Sequence, residues 1–506
     1  MAPHIRTVNT PSGARGVQIV HSKKGGKRDL EYVGSAHTDE EYEFLLEAAR
    51  QKIAAGQPEL DLGLDVPRTA PVAPITASRL GVLWELLEIA YARLGFIAVP
   101  GAADGDVFRR LVLARILEPT SKLDTLRVLD EAGIPAPSYA TVKRRLPGYA
   151  ATTFRDKLAA ACAAHANLGP ATLILYDVTT LYFETDAGDG FREPGFSKER
   201  RLEPQITLGL LTDQSGFPLT VQAFEGNRAE TATMLPTLQT FMTAHGLRDV
   251  TVVADAGMVS EANKRAIEQA GLGFILGAKL TRVPYVIAQW HREHPGKPIP
   301  DGHVFTQPWP AGPTDNRRDH VFYYRYSADN ARRTRKGIDE QVRKAEAAVA
   351  GKIPVKRNRF VTLTGADKSV NRDLEAKARA LAGIKAYVTN LIDQPPEFII
   401  GAYHRLYQIE KSFRMAKSDL AARPIYHHLR DSIDAHLTIV LAALAISRWI
   451  EDATGWSIRK VVKTLRRYRR IEITLGGQTI AAEEPLPDDI AKFIDQIRYP
   501  RQGAPN

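Results

Sequence analysis

A chain of 506 residues is longer than a single hydrophobic core usually supports, so several domains are expected. Its 44% apolar and 25% charged residues are those of an ordinary soluble globular protein, and a formal charge of +10 with a pI near 9.4 favours polyanionic partners. The single Cys162 excludes an internal disulfide framework and fits a reducing compartment. The first residues lack an apolar signal region, and the longest apolar helix candidate, around Leu437 to Ile450, is too short to span a bilayer. A cytoplasmic, nucleoid-associated protein is the expectation.

In chain order, Val17, Ile19 and Val20 precede a Lys-Lys-Gly-Gly-Lys-Arg turn and Leu30, Tyr32 and Val33 follow it, which predicts a hairpin with a basic tip, then a polar helix. Pro67, Pro71 and Pro74 mark a linker, because closely spaced prolines remove backbone donors. A helical block follows from about Ser78 to Asn167, with Leu83, Leu86, Leu87, Ala90 and Leu94 at helical spacing. Within it a helix from about Thr120 stops at Gly133, and Ser138 can cap a short helix with Tyr139, Val142 and Leu146 inward and Lys143, Arg144 and Arg145 near its end. This pair resembles a helix-turn-helix, the alternative being a helical bundle with a solvated basic corner.

The period then changes. Leu173 to Phe183, Ile206 to Leu211 and Leu219 to Phe224 read as three strands of an antiparallel meander. A helix (Thr231 to His245), a strand (Val250 to Ala254), a helix (Ser260 to Ala270) and a strand (Phe274 to Lys279) alternate as in parallel α/β units. Three antiparallel strands followed by this alternation is the order of a ribonuclease-H-like core. Between about Leu280 and Ile384 the pattern breaks into an inserted subdomain, and Ala386 to Leu391 returns to the sheet. The expected architecture is α/β (α+β) and multidomain. It runs as an N-terminal hairpin and helix (1–66), a helical DNA-binding domain (67–168), the first part of the core (169–281), the insertion (282–385), the last strand and catalytic helix (386–455), and a basic C-terminal region (456–506).

Three carboxylates stand out against this frame. Asp177 lies within an apolar strand, Leu-Ile-Leu-Tyr-Asp-Val-Thr-Thr, where a charge is costly unless something pairs with it. Asp255 ends the fourth strand, at the carboxyl edge where open α/β sheets place ligand groups. Glu410 lies on the late helix. Tyr403, Glu410 and Lys417 are spaced by seven, so on one continuous helix they fall on one stripe. Hard oxygen ligands of this kind suit Mg²⁺ or Mn²⁺ better than zinc, and two such ions would serve an in-line phosphoryl transfer. Basic residues at 463, 466, 467, 469 and 470 read equally as a DNA-backbone surface or a solvated face.

These residues resemble the DDE transposases of bacterial insertion sequences, in the insertion-sequence-four-like branch with the signature Tyr-x(2)-Arg-x(3)-Glu-x(6)-Lys. Tyr403, Glu410 and Lys417 match the signature, Asp177 and Asp255 match the aspartates, and the insertion precedes the Glu as in that branch. The runs Glu118 to Leu123 and Arg423 to His427 also look like the group. The signature's arginine position is Leu406 here. The resemblance implies a transposase that binds the inverted ends of its element, cleaves with Mg²⁺ or Mn²⁺ held by Asp177, Asp255 and Glu410, joins 3′ ends to target DNA, and works as a homodimer. Tyr403 and Lys417 would orient phosphate. Arg414, four residues after Glu410 and on its face, would replace the missing arginine, and Lys143, Arg144 and Arg145 would contact DNA. The rivals are a ribonuclease-H-like nuclease without strand joining and a domesticated, non-catalytic DNA-binding protein.

Overall fold

A computed structural model of the chain describes residues 3–9, 14–22, 28–55, 75–99, 105–169, 172–185, 187–195, 203–229, 232–258, 260–315, 317–354, 358–364, 367–423, 425, 427–475 and 478–500. The basic tip at 23–27 and the linker around Pro67, Pro71 and Pro74 lie outside these residues. Contacts divide the chain into two compact units, Met1–Val72 and Ala73–Asn506.

In the first unit the expected hairpin forms from β2 (Arg15–Ser22) and β3 (Arg28–Ala36), and a third strand, β1 (His4–Asn9), pairs antiparallel on the outside of β2. Its mostly exposed side chains carry little apolar alternation, so the sequence pattern does not reveal it. The polar helix is α1 (Asp39–Ala55). Thr38 Oγ1 accepts from the Glu41 amide while the Glu41 carboxylate accepts from His37 and Thr38, a reciprocal N-terminal box. Val17, Ile19 and Ala49 form its small core.

The second unit opens with β4 (Ile75–Arg79) and five helices: α2 (Gly81–Arg93), α3 (Gly105–Leu117), α4 (Thr125–Glu131), α5 (Tyr139–Ala150) and α6 (Thr152–His165). Ser138 caps α5 as expected, accepting from the Thr141 amide, and Val142 and Leu146 are buried together with Tyr149. Tyr139, expected inward, is exposed instead, with the Lys143 ammonium 5.3 Å above its ring. Position 139 lies within about 60° of the buried 142 and 146 on the helix, but it stands at the first helical position, and its ring is exposed there. Lys143 and Arg144 are exposed and Arg145 is half-buried.

Then come β5 (Leu173–Tyr182), β6 (Gln205–Asp213), β7 (Pro218–Glu225), α7 (Met234–His245), β8 (Thr251–Ala254), α8 (Glu261–Gln269) and β9 (Gly273–Ala278). The region of the expected insertion holds α9 (Tyr285–Glu293), β10 (Val304–Trp309), β11 (His320–Tyr326), α10 (Ala328–Val349), β12 (Val361–Thr364), β13 (Asp367–Val370) and α11 (Arg372–Ala380). After it follow β14 (Ile384–Thr389), α12 (Pro396–His404), α13 (Leu406–Arg414), α14 (Arg430–Thr454), α15 (Ile458–Leu465), β15 (Arg470–Leu475), β16 (Gln478–Glu483) and α16 (Asp488–Arg498).

These make a mixed α/β fold around one eight-stranded sheet of order β10-β11-β14-β9-β8-β5-β6-β7. The β5-β6-β7 meander is antiparallel, β5-β8 and β8-β9 are parallel, and β14 runs antiparallel to β9. The 282–385 region is not wholly a separate subdomain. Its strands β10 and β11 extend the main sheet beyond β14, whereas α10 packs with Phe360 in a satellite core of its own.

One helix holds the larger unit together. All but one of the residues from Ile433 to Arg448 in α14 are buried, and α2, α3, α5, α6, α15, α16 and β7 all pack on it. At 25 residues it is long and apolar enough to cross a membrane, longer than the apolar run at 437–450 suggests, yet 94% of its apolar window lies inside the fold. Helices before residue 168 and those after 455 therefore share one core with the sheet. The basic C-terminal residues close this core. Arg469 donates to the Ser78 hydroxyl and carbonyl and to the Glu131 carbonyl, Arg466 pairs with Glu118, and Tyr468 is buried. We expect Leu444→Ala, at the centre of α14 and 2% exposed, to cost about 2–5 kcal/mol in urea unfolding, with both flanking helical layers melting in the same transition. Separate transitions would show that the layers are independent.

Candidate active site

The site grows out of the register of two strands. Parallel β5 and β8 pair Tyr176 with Ala254, so the next residue on each is an aspartate, Asp177 and Asp255, at neighbouring positions of strands about 4.8 Å apart. β5 continues past this point while β8 ends, which leaves Asp255 exposed at the carboxyl edge and Asp177 half-buried. Asp177 Oδ1 accepts from the Val178 amide at 2.8 Å.

Tyr403 at the end of α12 donates from its hydroxyl to Asp255 Oδ1 at 2.7 Å. Its ring lies edge-on to Tyr387 of β14, centroids 4.9 Å apart. Burial, the bond to Asp255 and the negative charges of Asp255 and Glu410 push the phenol well above its ordinary range, so it stays a donor at neutral pH. The approach depends on Gly277 in β9. A Cβ there would lie 2.5 Å from the Tyr403 hydroxyl. An isolated glycine in an apolar strand is the sequence signal for such close passage. These residues face a cavity of about 370 Å³ that Asp255, Gly277, Lys385, Tyr387 and Tyr403 line.

The seven-residue stripe does not form as one helix. The helix breaks at Arg405, whose amide bonds the Ala402 carbonyl, so Tyr403 lies on α12 and Glu410 on α13. After Arg414 the chain enters a π turn over Met415–Asp419, with Leu420 N–H reaching the Met415 carbonyl five residues back. Lys417 sits in that wider turn and donates to the Thr179 hydroxyl. Thr179 is two residues beyond Asp177 on β5 and so shares its face. Lys417 is thus carried to the Asp177 strand and Tyr403 to Asp255.

Glu410 and Arg414 are both exposed on α13, which packs on β5. α13 is fixed from behind. Arg448 of α14, 1% exposed, reaches Gln408 Oε1 at 3.4 Å and the Ser215 carbonyl, and Ser412 Oγ donates to the Gly216 carbonyl at 2.6 Å. Leu406, at the signature's arginine position, is buried, and Arg405 is exposed and held by Gln214. Lys143, Arg144 and Arg145 stand on α5 in the helical layer.

Among the described residues no three His, Cys, Asp or Glu side chains close to metal-holding distance. The donor chemistry nevertheless suits a hard divalent cation: two aspartates at neighbouring strand positions, and a third carboxylate on a helix packed against one of those strands. Thr179 and Gly277 escape a reading of charged motifs, since neither carries charge and both act through contact with a motif residue.

Two aspartates thus stand on adjacent strands of a mixed sheet, with Glu410 on a late helix packed against one of them. Residues 168–446 match the transposase DDE domain family, and the chain belongs to that family. No curated protein matches it. Among solved structures it is similar to the piggyBac transposase in a synaptic complex with hairpin DNA, at 10% identity over 76% of this chain and 79% of that one, with a TM-score of 0.39.

The Gly277 contact is open to a double-mutant cycle. Gly277→Ala alone should destabilise by about 1–3 kcal/mol through overpacking, and Tyr403→Phe should recover part of that loss because it removes the atom the new Cβ meets. Additive costs in urea unfolding would place the two residues out of contact.

Proposed function

We propose that the protein is a DNA transposase that binds its element's ends, cleaves by two-metal phosphoryl transfer and joins 3′ ends to target DNA. The observation carrying this reading is the parallel register that sets Asp177 beside Asp255, with Tyr403 bonded to the latter, within a segment matching the transposase DDE domain family. The ribonuclease-H-like reading of the core rests on the antiparallel β5-β6-β7 meander followed by parallel β8 and β9. The insertion-sequence-four-like branch rests on Tyr403, Glu410 and Lys417 in the signature spacing.

Asp177, Asp255 and Glu410 would hold Mg²⁺ or Mn²⁺, which when bound activates the attacking oxygen and stabilises the leaving one. The chain's own residues set the stage for this. Tyr403 fixes the orientation of the Asp255 carboxylate and, remaining protonated, adds no negative charge beside a phosphate. Lys417 supplies a cation next to the Asp177 strand, and exposed Arg414 offers a guanidinium suited to bidentate phosphate contact. Action at two element ends calls for a homodimer on DNA, with Lys143 and Arg144 available for backbone contact. A nuclease without strand joining differs only in the fate of the 3′ hydroxyl, which a strand-transfer assay reads directly.

Asp177→Asn, Asp255→Asn and Glu410→Gln should each reduce metal-dependent strand cleavage by at least about a thousandfold while DNA binding persists. Full cleavage by any one of them removes that residue from the site. Arg414→Ala should impair cleavage at least about tenfold and more than Arg405→Ala, since Arg405 is already engaged by Gln214. The reverse order would mean that Arg405 leaves Gln214 for the DNA.

A further inference from the structure

The two sequence runs Glu118 to Leu123 and Arg423 to His427 have no part in the site described so far, although 300 residues separate them. The fold brings them together. Thr120, Ser121 and Lys122 from the turn before α4 face Ala421, Arg423 and His427 from the segment after the π turn, around a cavity of about 310 Å³. Arg115 of α3 and His436 of α14 complete its wall.

Among the described residues, all the ionisable groups lining this cavity are basic. The Lys122 ammonium nitrogen is 3.0 Å from His436 Nδ1, and His436 Nε2 lies 3.2 Å from the Ala422 carbonyl, so Lys122 donates to an imidazole protonated on its far nitrogen. Arg115 donates to the Leu420 and Ala421 carbonyls at 3.4 and 3.3 Å. It thereby braces Ala421, a non-glycine residue at φ 41°, a backbone state L residues rarely adopt. Burial, reinforced by neighbouring positive charge, holds Lys122 and His436 well below their ordinary ranges and His427 down to about 4. Arg115 and Lys122 are buried with no acidic side chain among the described residues that line the cavity, an arrangement that a bound anion stabilises.

The cavity also has a defined place relative to the candidate site. Ile425 N–H reaches the Tyr182 carbonyl at the end of β5, and the Arg423 guanidinium lies over the Tyr182 ring at 5.6 Å. Five residue steps along β5 separate Asp177 from Tyr182, on the order of 16 Å at the usual rise. A strand whose phosphate lies at Asp177 therefore reaches this cavity within a few nucleotides.

We propose that this cavity is a phosphate-binding subsite, which grips a backbone phosphate of the DNA strand a few nucleotides from the one being cleaved. The inference rests on the transposase reading, and its test separates the two. The full chain is titrated into a fluorescent random-sequence duplex by anisotropy across a range of salt, alongside Arg423→Gln and Lys122→Met, with thermal melting to follow folding. Each variant should bind about tenfold more weakly and lower the slope of log affinity against log salt by about 0.9, the loss of one phosphate contact.

If the parent chain binds and both folded variants keep its slope, the subsite is overturned while the transposase reading stands. If the parent chain fails to bind DNA at low salt, both fall. Inorganic phosphate, titrated by calorimetry, tests the source of the anion. Binding of free phosphate that the variants lose, together with an unchanged DNA slope, would assign the cavity to a free anion and overturn the strand assignment. Arg423→Gln, at the half-buried rim, decides the matter if Lys122→Met fails to fold.

Discussion

A helix that is apolar around its whole circumference must be covered on every side, and that requirement organises the larger unit. α14 offers buried faces to the helices before the sheet, to β7, and to the C-terminal helices at once. No layer touching it is removable without leaving a strip of leucine, isoleucine and alanine in water. The same helix supplies a buried arginine that reaches toward the site. Arg448 ties α13 to the β6–β7 turn, so the orientation of Glu410 follows from how α14 is seated.

The candidate site is a meeting of rigid parts rather than one motif. Strand register sets two aspartates side by side, a glycine in β9 admits a tyrosine to one of them, and a π turn delivers a lysine to the strand of the other. Each contact uses backbone geometry that a small change would upset. An α-helical turn in place of the π turn would rotate Lys417 by roughly 100° per residue of register and carry it away from Thr179.

Much of this was legible in the sequence, for a physical reason. Strands such as Leu173–Tyr182 and Thr251–Ala254 are buried on both faces and read as continuous apolar runs, so their type and order follow from composition. Asp177 and Asp255 stand out because a charge is costly in such runs. The resemblance to DDE transposases is likewise met, at the level of the transposase DDE domain family, by the match over 168–446.

Long-range seating was not legible. Spacing by seven assumes an unbroken helix, and neither the break at Arg405 nor the π turn has a proline or glycine to announce it. The pairing of β10 and β11 with β14 depends on partners far along the chain, so the 282–385 region read as an insertion although part of it belongs to the sheet. The basic residues near 466–470 looked like a free charged surface. Most of them are cross-links between distant segments, and periodicity carries no information about which carboxylate or carbonyl a given arginine meets.

That last feature bears on how the chain is made. Ser78 and its neighbours on β4 find their partners 391 residues later, on β15. During synthesis the early helices leave the ribosome with their inner faces uncovered, and wait for α14 and then β15 before they can close. At about 5–20 residues per second this is an interval of roughly 20–80 seconds. Throughout that time α2, α3 and α5 expose leucine-rich surface to other nascent chains. A fold that seals α2, α3 and α5 with elements as late as α14 and β15 thereby leaves the nascent protein with uncovered apolar surface while everything between them is made.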